Sequence, residues 1–322
     1  MYVLKKTTVA ELARVQSTIK KELASERIIQ EIYEYIFNAE GKKTRALLCL
    51  LASKSQGIKL NSRINLASII ELLHTATLVH DDVVDESELR RGTRSVNQVW
   101  TNSYSVLIGD FIYSKAFILM VRLGIPSILD ELAKATNDIA RGEIIQLELF
   151  EKKQLIELED LIKISYLKTG RLFEASAKTG AMLACRPKEE VKTFGLLGKA
   201  LGTAFQIQDD ILDYEALRLN TGKPALKDFK EGKITFPLYF ALQQANAKDK
   251  NFLMSLLGKS KILKKDQNKI YQLVQNEKTQ KDINALLGKY TKDTMKHLNN
   301  LKHHACYNEM LDLITFSKIR KI

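Results

Sequence analysis

The chain has 322 residues, of which 45% are hydrophobic and 27% charged, and its formal net charge at pH 7 is +12. This composition is typical of a globular protein with a large core. No uninterrupted apolar run approaches the roughly 18 residues of a membrane span, which predicts a soluble protein. The three cysteines, with no CxxC pair, exclude a disulfide scaffold and predict reduced thiols. Because the stretch MYVLKKTTVAELARVQ lacks the apolar segment of a signal peptide, we predict a cytoplasmic location.

Apolar residues recur every three or four positions along nearly the whole chain, which is the period of an α-helix. The 4 prolines and 15 glycines are few helix breakers for this length. In chain order, the spacing predicts helices within 9–37, 61–84, 103–123, 127–150, 157–184, 190–215, 234–245, 265–276, 280–300 and 306–318. Loop signals lie at 38–43, 88–95 and 219–233. We therefore predict an all-α single domain over residues 1–322, a bundle of ten or more helices.

The positive charge is concentrated in the C-terminal region, residues 251–322. The lysines there follow helical patterns, as in KILKKDQNKIYQLV, and do not gather with aromatic residues into a binding platform. This favours a solvated helix face and predicts no nucleic-acid partner. Attraction to an anionic membrane surface, as a peripheral contact, or to a polyphosphate substrate is the alternative.

HTATLVHDDVVD, residues 74–85, is an apolar helical run that ends in three aspartates, Asp81, Asp82 and Asp85. Asp81 and Asp85 are four residues apart, so their side chains project from one helix face, where like charges repel. A bound cation would relieve this repulsion. For this motif taken alone, a solvated helix end is the favoured interpretation.

The same spacing occurs again in GTAFQIQDDILDYE, at Asp209, Asp210 and Asp213. Acidic clusters on facing helices are one way in which bundle folds build carboxylate metal sites. All-oxygen ligands suit Mg²⁺, which is commonly completed by water and by substrate phosphates. The repetition therefore predicts a magnesium site built from the two acidic clusters, with substrate phosphates completing the metal's ligands.

Basic residues flank both acidic motifs, as a diphosphate site requires. They are Arg90 and Arg91 after the first motif, Lys42, Lys43 and Arg45 in EGKKTR, Lys168 beside Thr169 in YLKTG, and Lys223 and Lys233 in TGKPALKDFKEGK. A single basic loop is usually an ordinary surface loop. Several such loops beside two acidic motifs predict phosphate binding, with Arg as a bidentate clamp and Lys as a movable point charge.

DDVVDESELRR and FQIQDDILDYE, with their separation, resemble the two aspartate-rich motifs of the trans-polyprenyl diphosphate synthases, and the resemblance extends from about residue 10 to the end. It implies the isoprenoid synthase fold, with both motifs on facing helices around a central cavity. It also implies a homodimer and three Mg²⁺ ions per active site. The implied reaction is prenyl transfer, in which an allylic diphosphate such as farnesyl diphosphate ionises and isopentenyl diphosphate attacks the carbocation.

Residue by residue, the resemblance implies two groups of metal ligands. The principal ligands are Asp81, Asp85 and Asp209, and the supporting or water-mediated ligands are Asp82, Asp210 and Asp213. The implied contacts of the allylic diphosphate are Arg90, Lys168 and Lys223, and those of isopentenyl diphosphate are Lys42, Arg45, His74 and Arg91. The side chains implied to line the reacting carbon are Phe205 and Gln206, with Lys168 and Thr169 opposite. Lys168 and Lys223 join the principal ligands as implied catalytic residues.

His74 has a second interpretation, because a lone histidine on an apolar helix face is commonly a core residue. Its position two turns before Asp81 matches the phosphate-contacting position of the family, which favours a functional role.

Small residues one turn before the first motif predict a long product. In the family the growing chain leaves the metals along this helix, at about 5.4 Å per turn, and farnesyl-length members place an aromatic plug four or five residues before the first aspartate. Ala76 and Thr77 stand there and leave the way open. The predicted tunnel floor is therefore deeper, at Leu73, Ile70, Phe117 and Met120. The surrounding stretch is most similar to bacterial octaprenyl diphosphate synthases, which make quinone side chains.

The sequence departs from the family pattern in two places. The usual GGKRxRP reads EGKKTRA, which keeps the type of charge and predicts that binding is retained. In the segment LKDF, Leu226 stands where glycine is usual, and this bears on the flexibility of that loop.

Four other classes of protein share some of these features. A short-chain farnesyl or geranylgeranyl diphosphate synthase has the same chemistry, but Ala76 and Thr77 argue against it. A class I terpene cyclase would not need the second DDxxD motif or the isopentenyl site. A non-catalytic partner subunit would be expected to lack ligands, yet both motifs are complete. A basic nucleic-acid binder would show salt-dependent DNA binding. Products of seven, eight or nine units stay open.

Overall fold

The computed structural model describes residues 5–38, 41–90, 92–151, 156–219 and 226–318. Within these ranges the α-helices are α1 (Lys6–Leu23), α2 (Arg27–Asn38), α3 (Thr44–Ala52), α4 (Leu60–Val84), α5 (Val96–Val99), α6 (Asn102–Leu123), α7 (Pro126–Glu151), α8 (Leu158–Ser165), α9 (Arg171–Leu183), α10 (Lys188–Leu219), α11 (Lys227–Lys230), α12 (Phe236–Gln244), α13 (Ala247–Leu256), α14 (Lys264–Val274), α15 (Glu277–Asn299) and α16 (Tyr307–Lys318). A small antiparallel hairpin pairs β1 (Leu89–Arg90) with β2 (Thr93–Arg94). The predicted all-α fold is confirmed.

Two predicted helical segments are interrupted. The segment 9–37 divides at Ala24, whose extended backbone (φ −59°, ψ 122°) ends α1. The segment 157–184 divides at a π-helical turn, Tyr166–Gly170, between α8 and α9. The two-residue strands of the hairpin fall inside the predicted loop 88–95.

The contacts of the chain fall into two compact units. The first comprises residues 1–136, 172–198 and 300–313, and the second comprises residues 137–171, 199–299 and 314–322. The prediction of one domain over residues 1–322 stays a prediction.

The first unit is built around α4, which packs against α1, α3 and α6. Its residues Leu66, Ile69 and Leu72 are fully buried. A helix with apolar residues on most of its circumference must lie inside a core. A charged pair in this part of α4 is satisfied, since the Arg63 guanidinium donates two hydrogen bonds to the Glu11 carboxylate, at 3.1 and 2.9 Å.

The second unit contains two apolar clusters, and α10 contributes to both. Ile207 belongs to a cluster with Phe236 and Ile283, while Tyr214 packs with Leu226 in the other. The second acidic motif lies between Ile207 and Tyr214 in sequence, so its stretch of helix is anchored on both sides. In the described residues, no helix combines the length and apolar character needed to cross a membrane.

Candidate active site

The first acidic motif lies at the C-terminal end of α4. Asp81 and Asp85 are half-buried, whereas Asp82 is buried. Asp85 follows the last helical residue, and its N–H donates to the Asp81 carbonyl at 2.8 Å. The negative end of the helix dipole therefore adds to three carboxylates. This end of α4 strongly favours a bound cation.

Arg90 binds the buried carboxylate of this motif. Its Nε donates to both Asp82 oxygens, at 2.9 and 3.2 Å, and its Nη2 donates to Oδ1 at 2.5 Å. Burial alone would lower the pKa of Arg90, but the hydrogen bonds and charge of Asp82, with the other two carboxylates, raise it. Arg90 is therefore a fixed cation beside the motif. The two carboxylates of the motif that are less buried belong to Asp81 and Asp85.

The hairpin after α4 holds Arg90 in place. Thr93 Oγ1 donates to the Arg90 carbonyl at 2.9 Å, and Tyr35 Oη donates to the Arg94 carbonyl at 2.6 Å. Gly92 has φ +82°, a left-handed turn conformation that glycine adopts without strain. Arg91, the predicted isopentenyl contact, lies outside the described residues.

A cavity of about 60 Å³ lies between the end of α2, α4 and the hairpin. Its basic or titratable lining side chains are Lys43, His74, Arg90 and Arg94, and its acidic ones are Glu71 and Asp82. Both acids are engaged: Asp82 pairs with Arg90, and Glu71 accepts a hydrogen bond from the Ala46 N–H at 3.3 Å. The cavity therefore presents a net positive lining that suits a phosphate.

Arg45 and His74 are brought together beside this cavity. Arg45 Nη1 lies 2.9 Å from His74 Nε2, and the guanidinium stacks 4.5 Å from the centroid of the Phe173 ring. Because arginine can only donate, His74 Nε2 is the acceptor in this hydrogen bond. Lys42 is exposed two residues before α3. Of the predicted isopentenyl contacts, Arg45 and His74 thus touch directly.

The residues predicted to set product length lie along α4 and α6. Ala76 is fully buried. Thr77 is half-buried, and its Oγ1 donates a hydrogen bond to the His74 carbonyl at 2.8 Å. Of the predicted floor residues, Leu73, Ile70 and Met120 are buried, whereas Phe117 is 40% exposed. The Phe117 ring stacks on Tyr113, 6.4 Å between centroids.

The second acidic motif lies on α10. Asp210 is buried and accepts hydrogen bonds from Gln206 Nε2 at 2.7 Å and from the Phe236 N–H at 3.2 Å. Asp213 accepts from the N–H groups of Lys227 and Asp228, at 3.0 and 3.3 Å. Asp209 is half-buried on the same helix.

Asp228, the second residue of α11, belongs to this acidic group and was missed from the sequence. Burial and the negative charge of Asp228 raise the pKa of Asp213 to about 7, and both effects raise the pKa of Asp210 well above its ordinary value. The signal was present, because Asp228 follows Lys227 in the LKDF segment singled out for Leu226. Leu226 itself is buried with φ +57°, a left-handed conformation that explains why glycine is usual there.

A chain of hydrogen bonds connects the π-helical turn to the second motif. Thr169 Oγ1 donates to Gln206 Oε1 at 2.6 Å, and Gln206 Nε2 donates to Asp210. Lys168, also on the turn, pairs with Glu143 at 2.7 Å and donates to Gln146. π-Helical turns are rare and are frequently found at functional sites. On this turn, Lys168 contacts α7 and the adjacent Thr169 contacts α10.

Gly142 allows the π-helical turn to pack closely on α7. A Cβ atom at this glycine would lie 2.8 Å from Leu167 Cβ and 3.1 Å from Lys168 Cγ. The first distance is shorter than real Cβ contacts, so a larger residue would push the turn and Lys168 away.

Two further predicted contacts lie in the second unit. Phe205 is buried and lines a cleft between α10 and α15. Lys233 pairs with Glu231 at 2.9 Å and lines a separate cavity of about 230 Å³ with mainly apolar walls. Lys223, predicted to bind the allylic diphosphate, lies outside the described residues.

The donor chemistry of both motifs fits a divalent cation. Among the described residues, no group of three or more histidine, cysteine or acidic side chains could by itself hold a metal ion. Mg²⁺ does not need such a cage, since it is usually bound through one or two carboxylates, water and substrate phosphates. Burial, and then the negative charge of Asp228, raise the pKa of Asp213, and a bound cation would neutralise that charge.

Comparisons with known proteins agree on one family. A family model described as polyprenyl synthetase matches residues 26–274. The octaprenyl diphosphate synthase of Escherichia coli (strain K12) is 42% identical over 237 residues, which cover 73% of each chain. A solved decaprenyl diphosphate synthase from Rhodobacter capsulatus has a TM-score of 0.89 at 32% identity, covering 98% of both chains. A polyprenyl synthase from Caulobacter crescentus CB15, complexed with calcium and isoprenyl diphosphate, has a TM-score of 0.91 at 31% identity, covering 98% of this chain and 97% of the other. This chain belongs to the polyprenyl synthetase family.

Proposed function

We propose that this chain is a Mg²⁺-dependent prenyltransferase that condenses isopentenyl diphosphate with an allylic diphosphate, such as farnesyl diphosphate. The observation that carries the proposal is the acidic end of α4 beside a positively lined cavity, where Arg90 is fixed on Asp82. The octaprenyl diphosphate synthase activity named for the Escherichia coli relative is in accord with it. The product would be a long all-trans polyprenyl diphosphate, of eight units, for a quinone side chain.

The chemistry requires a diphosphate to leave an allylic carbon. Bound Mg²⁺ supplies positive charge that makes the diphosphate a better leaving group. We assign the metal to Asp81, Asp85 and Asp209, with Asp82, Asp210 and Asp213 in support. Three ions per active site are expected from the resemblance.

The basic residues of this chain act on the substrates. Arg90 and Lys168, with Lys223, would hold oxygens of the allylic diphosphate and stabilise the charge that develops as the C–O bond breaks. Lys42, Arg45, His74 and Arg91 would hold isopentenyl diphosphate, with its double bond towards the cation. The new C–C bond forms, and the proton lost from isopentenyl diphosphate goes to the released diphosphate.

Exclusion of water is the remaining requirement, because water would capture the carbocation. The buried Phe205 and the chain Thr169–Gln206 would line the reacting carbon and restrict solvent access there.

The decisive experiment uses purified protein, Mg²⁺, farnesyl diphosphate and labelled isopentenyl diphosphate, with products dephosphorylated and sized by chromatography. An eight-unit product is expected. Asp81→Asn and Asp209→Asn should each lower kcat/KM roughly hundredfold or more, since a lost metal ligand removes several kcal/mol of transition-state stabilisation. Asp130→Asn, an exposed acid paired with Lys134, is the matched control. No incorporation by the wild type would instead favour a partner subunit.

Product length has its own test. Thr77→Tyr restores an aromatic plug above the buried residues of α4 and should shorten the product to three or four units. A wild-type product of that length would favour the short-chain alternative while keeping the chemistry.

We also propose that the protein is a homodimer. On α6, Leu107, Ile118 and Val121 are 65%, 42% and 67% exposed and lie on one helix face. Such an apolar stripe suits a self-complementary surface on a second copy. Light scattering after size exclusion should give a dimer for the wild type and a monomer for Leu107→Lys. An unchanged mass for Leu107→Lys would remove this stripe from the interface.

A further inference from the structure

A leucine surrounded by lysines stands on the surface of the second unit, in GKSKILKK, residues 258–265. Leu263 is 65% exposed. The exposed lysines next to it in sequence are Lys259, Lys261, Lys264 and Lys265. We call Leu263 and these four lysines the lysine–leucine patch.

The patch is held rigidly by the core beneath it. The Gly258 N–H donates to the Phe229 carbonyl at 3.0 Å, and the Gln267 side-chain amide donates to the Ile262 carbonyl at 2.8 Å. Ile262 is buried in the cluster that contains Phe229. Because the backbone at Leu263 is extended (φ −61°, ψ 145°), its side chain points away from the core that Ile262 enters.

Leu263 is unfavourable where it stands. It is the N-cap of α14 and makes no side-chain cap hydrogen bond. Serine, threonine, aspartate and asparagine are preferred at this position, and leucine is among the poorest choices. A residue that neither caps its helix nor packs in the core indicates a role outside the fold.

The positive charge of the patch is not balanced locally. Within the described residues, none of its four lysines takes part in an ion pair. Asp266, half-buried in the first turn of α14, is the one acidic residue in the adjoining turn. The next lysine, Lys269, pairs with Asp249 at 2.7 Å. The patch therefore keeps a net positive charge around an exposed apolar side chain.

We propose that the lysine–leucine patch docks the protein on an anionic phospholipid surface. Lysines attract anionic headgroups, and a rigidly presented leucine enters the boundary between headgroups and acyl chains. Single-stranded nucleic acid would favour aromatic side chains on which bases stack, and the patch has none. The inference goes beyond the proposed function: a long apolar product gives the contact a purpose, but the docking itself needs no catalysis.

The test is co-sedimentation of the full-length protein with two kinds of vesicle. One contains phosphatidylcholine alone, and the other contains phosphatidylcholine with about 30 mol% phosphatidylglycerol. We expect the protein to bind the anionic vesicles, and we expect this binding to weaken as the salt concentration rises. Lys261→Gln/Lys264→Gln should weaken it about 25-fold, at roughly fivefold per lysine. Leu263→Ser should weaken it roughly tenfold by removing the apolar contact. Its melting temperature should stay equal or rise, since serine caps α14.

The matched control is Lys188→Gln/Lys192→Gln, which removes two exposed lysines from α10 in the first unit. It should leave vesicle binding within about twofold. An equal loss in both double variants would overturn the proposal, because binding would then follow net charge alone. The proposal would also be overturned if the wild-type protein did not bind anionic vesicles, or if the patch bound single-stranded DNA instead.

The two proposals fail separately. All variants should keep wild-type prenyl transfer with a soluble farnesyl primer, measured without vesicles. Vesicle binding by a protein with no prenyl transfer would overturn the proposed function and support the docking surface on its own.

Discussion

Thr169, Gln206 and Asp210 form a hydrogen-bonded chain that ends in a buried carboxylate. Gln206→Leu would break it in the middle. We expect kcat to fall about 10–100-fold, because Gln206 orients Asp210, which we propose as a supporting metal ligand. We also expect a loss of about 1–3 kcal/mol in the free energy of unfolding, because a buried acceptor loses a donor.

Variants at Thr169 separate positioning from simple damage to the fold. Thr169→Ser keeps the hydroxyl donor to Gln206 and should keep kcat within about threefold, whereas Thr169→Val keeps the shape and should lose about tenfold. Steady-state kinetics and thermal melts check both. Equal kcat for the serine and valine variants would mean that the hydroxyl does not orient Gln206.

Arg94 lines the positively lined cavity beside His74 and was not predicted as a contact. Its side chain is exposed, and its backbone carbonyl is fixed by Tyr35. Arg94→Gln should raise KM for isopentenyl diphosphate about 5–10-fold, with kcat nearly unchanged, since an exposed charge–phosphate contact contributes about 1 kcal/mol. Arg122→Gln on the exposed Arg122–Glu22 pair is the control. A rise in KM for the allylic substrate instead would place Arg94 at the other subsite.

The spacing of aspartates was enough to predict the two acidic motifs, because a helix turns like charges at i and i+4 to one face. It could not predict Asp228 or Arg94. Both come from separate segments, a short helix and a hairpin, and their positions depend on tertiary packing that no local period encodes.

At the scale of elements, Leu226 shows two opposed effects at the start of α11. Its left-handed φ of +57° is strained by about 1–2 kcal/mol, but its side chain is fully buried, and deleting such a side chain costs about 2–5 kcal/mol. The larger effect decides the outcome. Leu226→Gly should therefore lower the free energy of unfolding by about 1–3 kcal/mol, measured by urea unfolding.

Cys185 is the matched comparison. It also has a left-handed φ, +53°, but its side chain is exposed. Cys185→Gly should relieve the strain without removing a buried group and raise the free energy of unfolding by up to about 1 kcal/mol. Destabilisation by both glycine variants would show that flexibility of the unfolded chain outweighs the strain.

Whole helices could be predicted from the sequence where the helical period of apolar residues continues without a break. The predicted segment 127–150 is α7 to within a residue at each end, and 61–84 is α4 with one residue added. The π-helical turn at Tyr166–Gly170 was not predicted, because the i+3 and i+4 spacing of apolar residues continues on both sides of it. The turn carries Lys168 and Thr169, so the missed irregularity lies at the candidate site.

At the scale of the whole molecule, the C-terminal segment 300–313 returns to the N-terminal part of the first unit. Glu309 accepts a hydrogen bond from Thr8 Oγ1 at 2.6 Å and pairs with Lys54 at 3.3 Å. His304, five residues before Glu309, is buried in the same segment. Its Nε2 atom lies 3.0 Å from Arg186 Nη2, and its ring packs edge-on against the Phe194 ring. Thr8, near the start of the described residues, and Glu309, near their end, are thus joined by a buried hydrogen bond.

The buried position of His304 beside Arg186 predicts an acid-sensitive stability. Burial and the Arg186 charge lower the pKa of His304 to about 4 from an ordinary value of 6.5. The folded protein therefore resists a proton that the unfolded chain accepts. The stabilising contribution is complete above pH 6.5 and is lost as the pH falls towards 4. At about 1.4 kcal/mol per pKa unit, up to roughly 3 kcal/mol is at stake.

The contribution of His304 can be isolated by difference, because the carboxylates with raised pKa, Asp210 and Asp213, act in the opposite direction over part of this range. Urea unfolding of the wild type and His304→Gln should be compared at pH 7.5 and 4.5. We expect the wild type to lose about 2–3 kcal/mol more than the variant across this interval, since only the wild type must keep a buried imidazole neutral. His303→Gln, an exposed neighbour paired with Glu190, should follow the wild type. If His304→Gln retained the full pH dependence, the acid sensitivity would have to come from other groups, and the buried imidazole beside Arg186 would not be its cause.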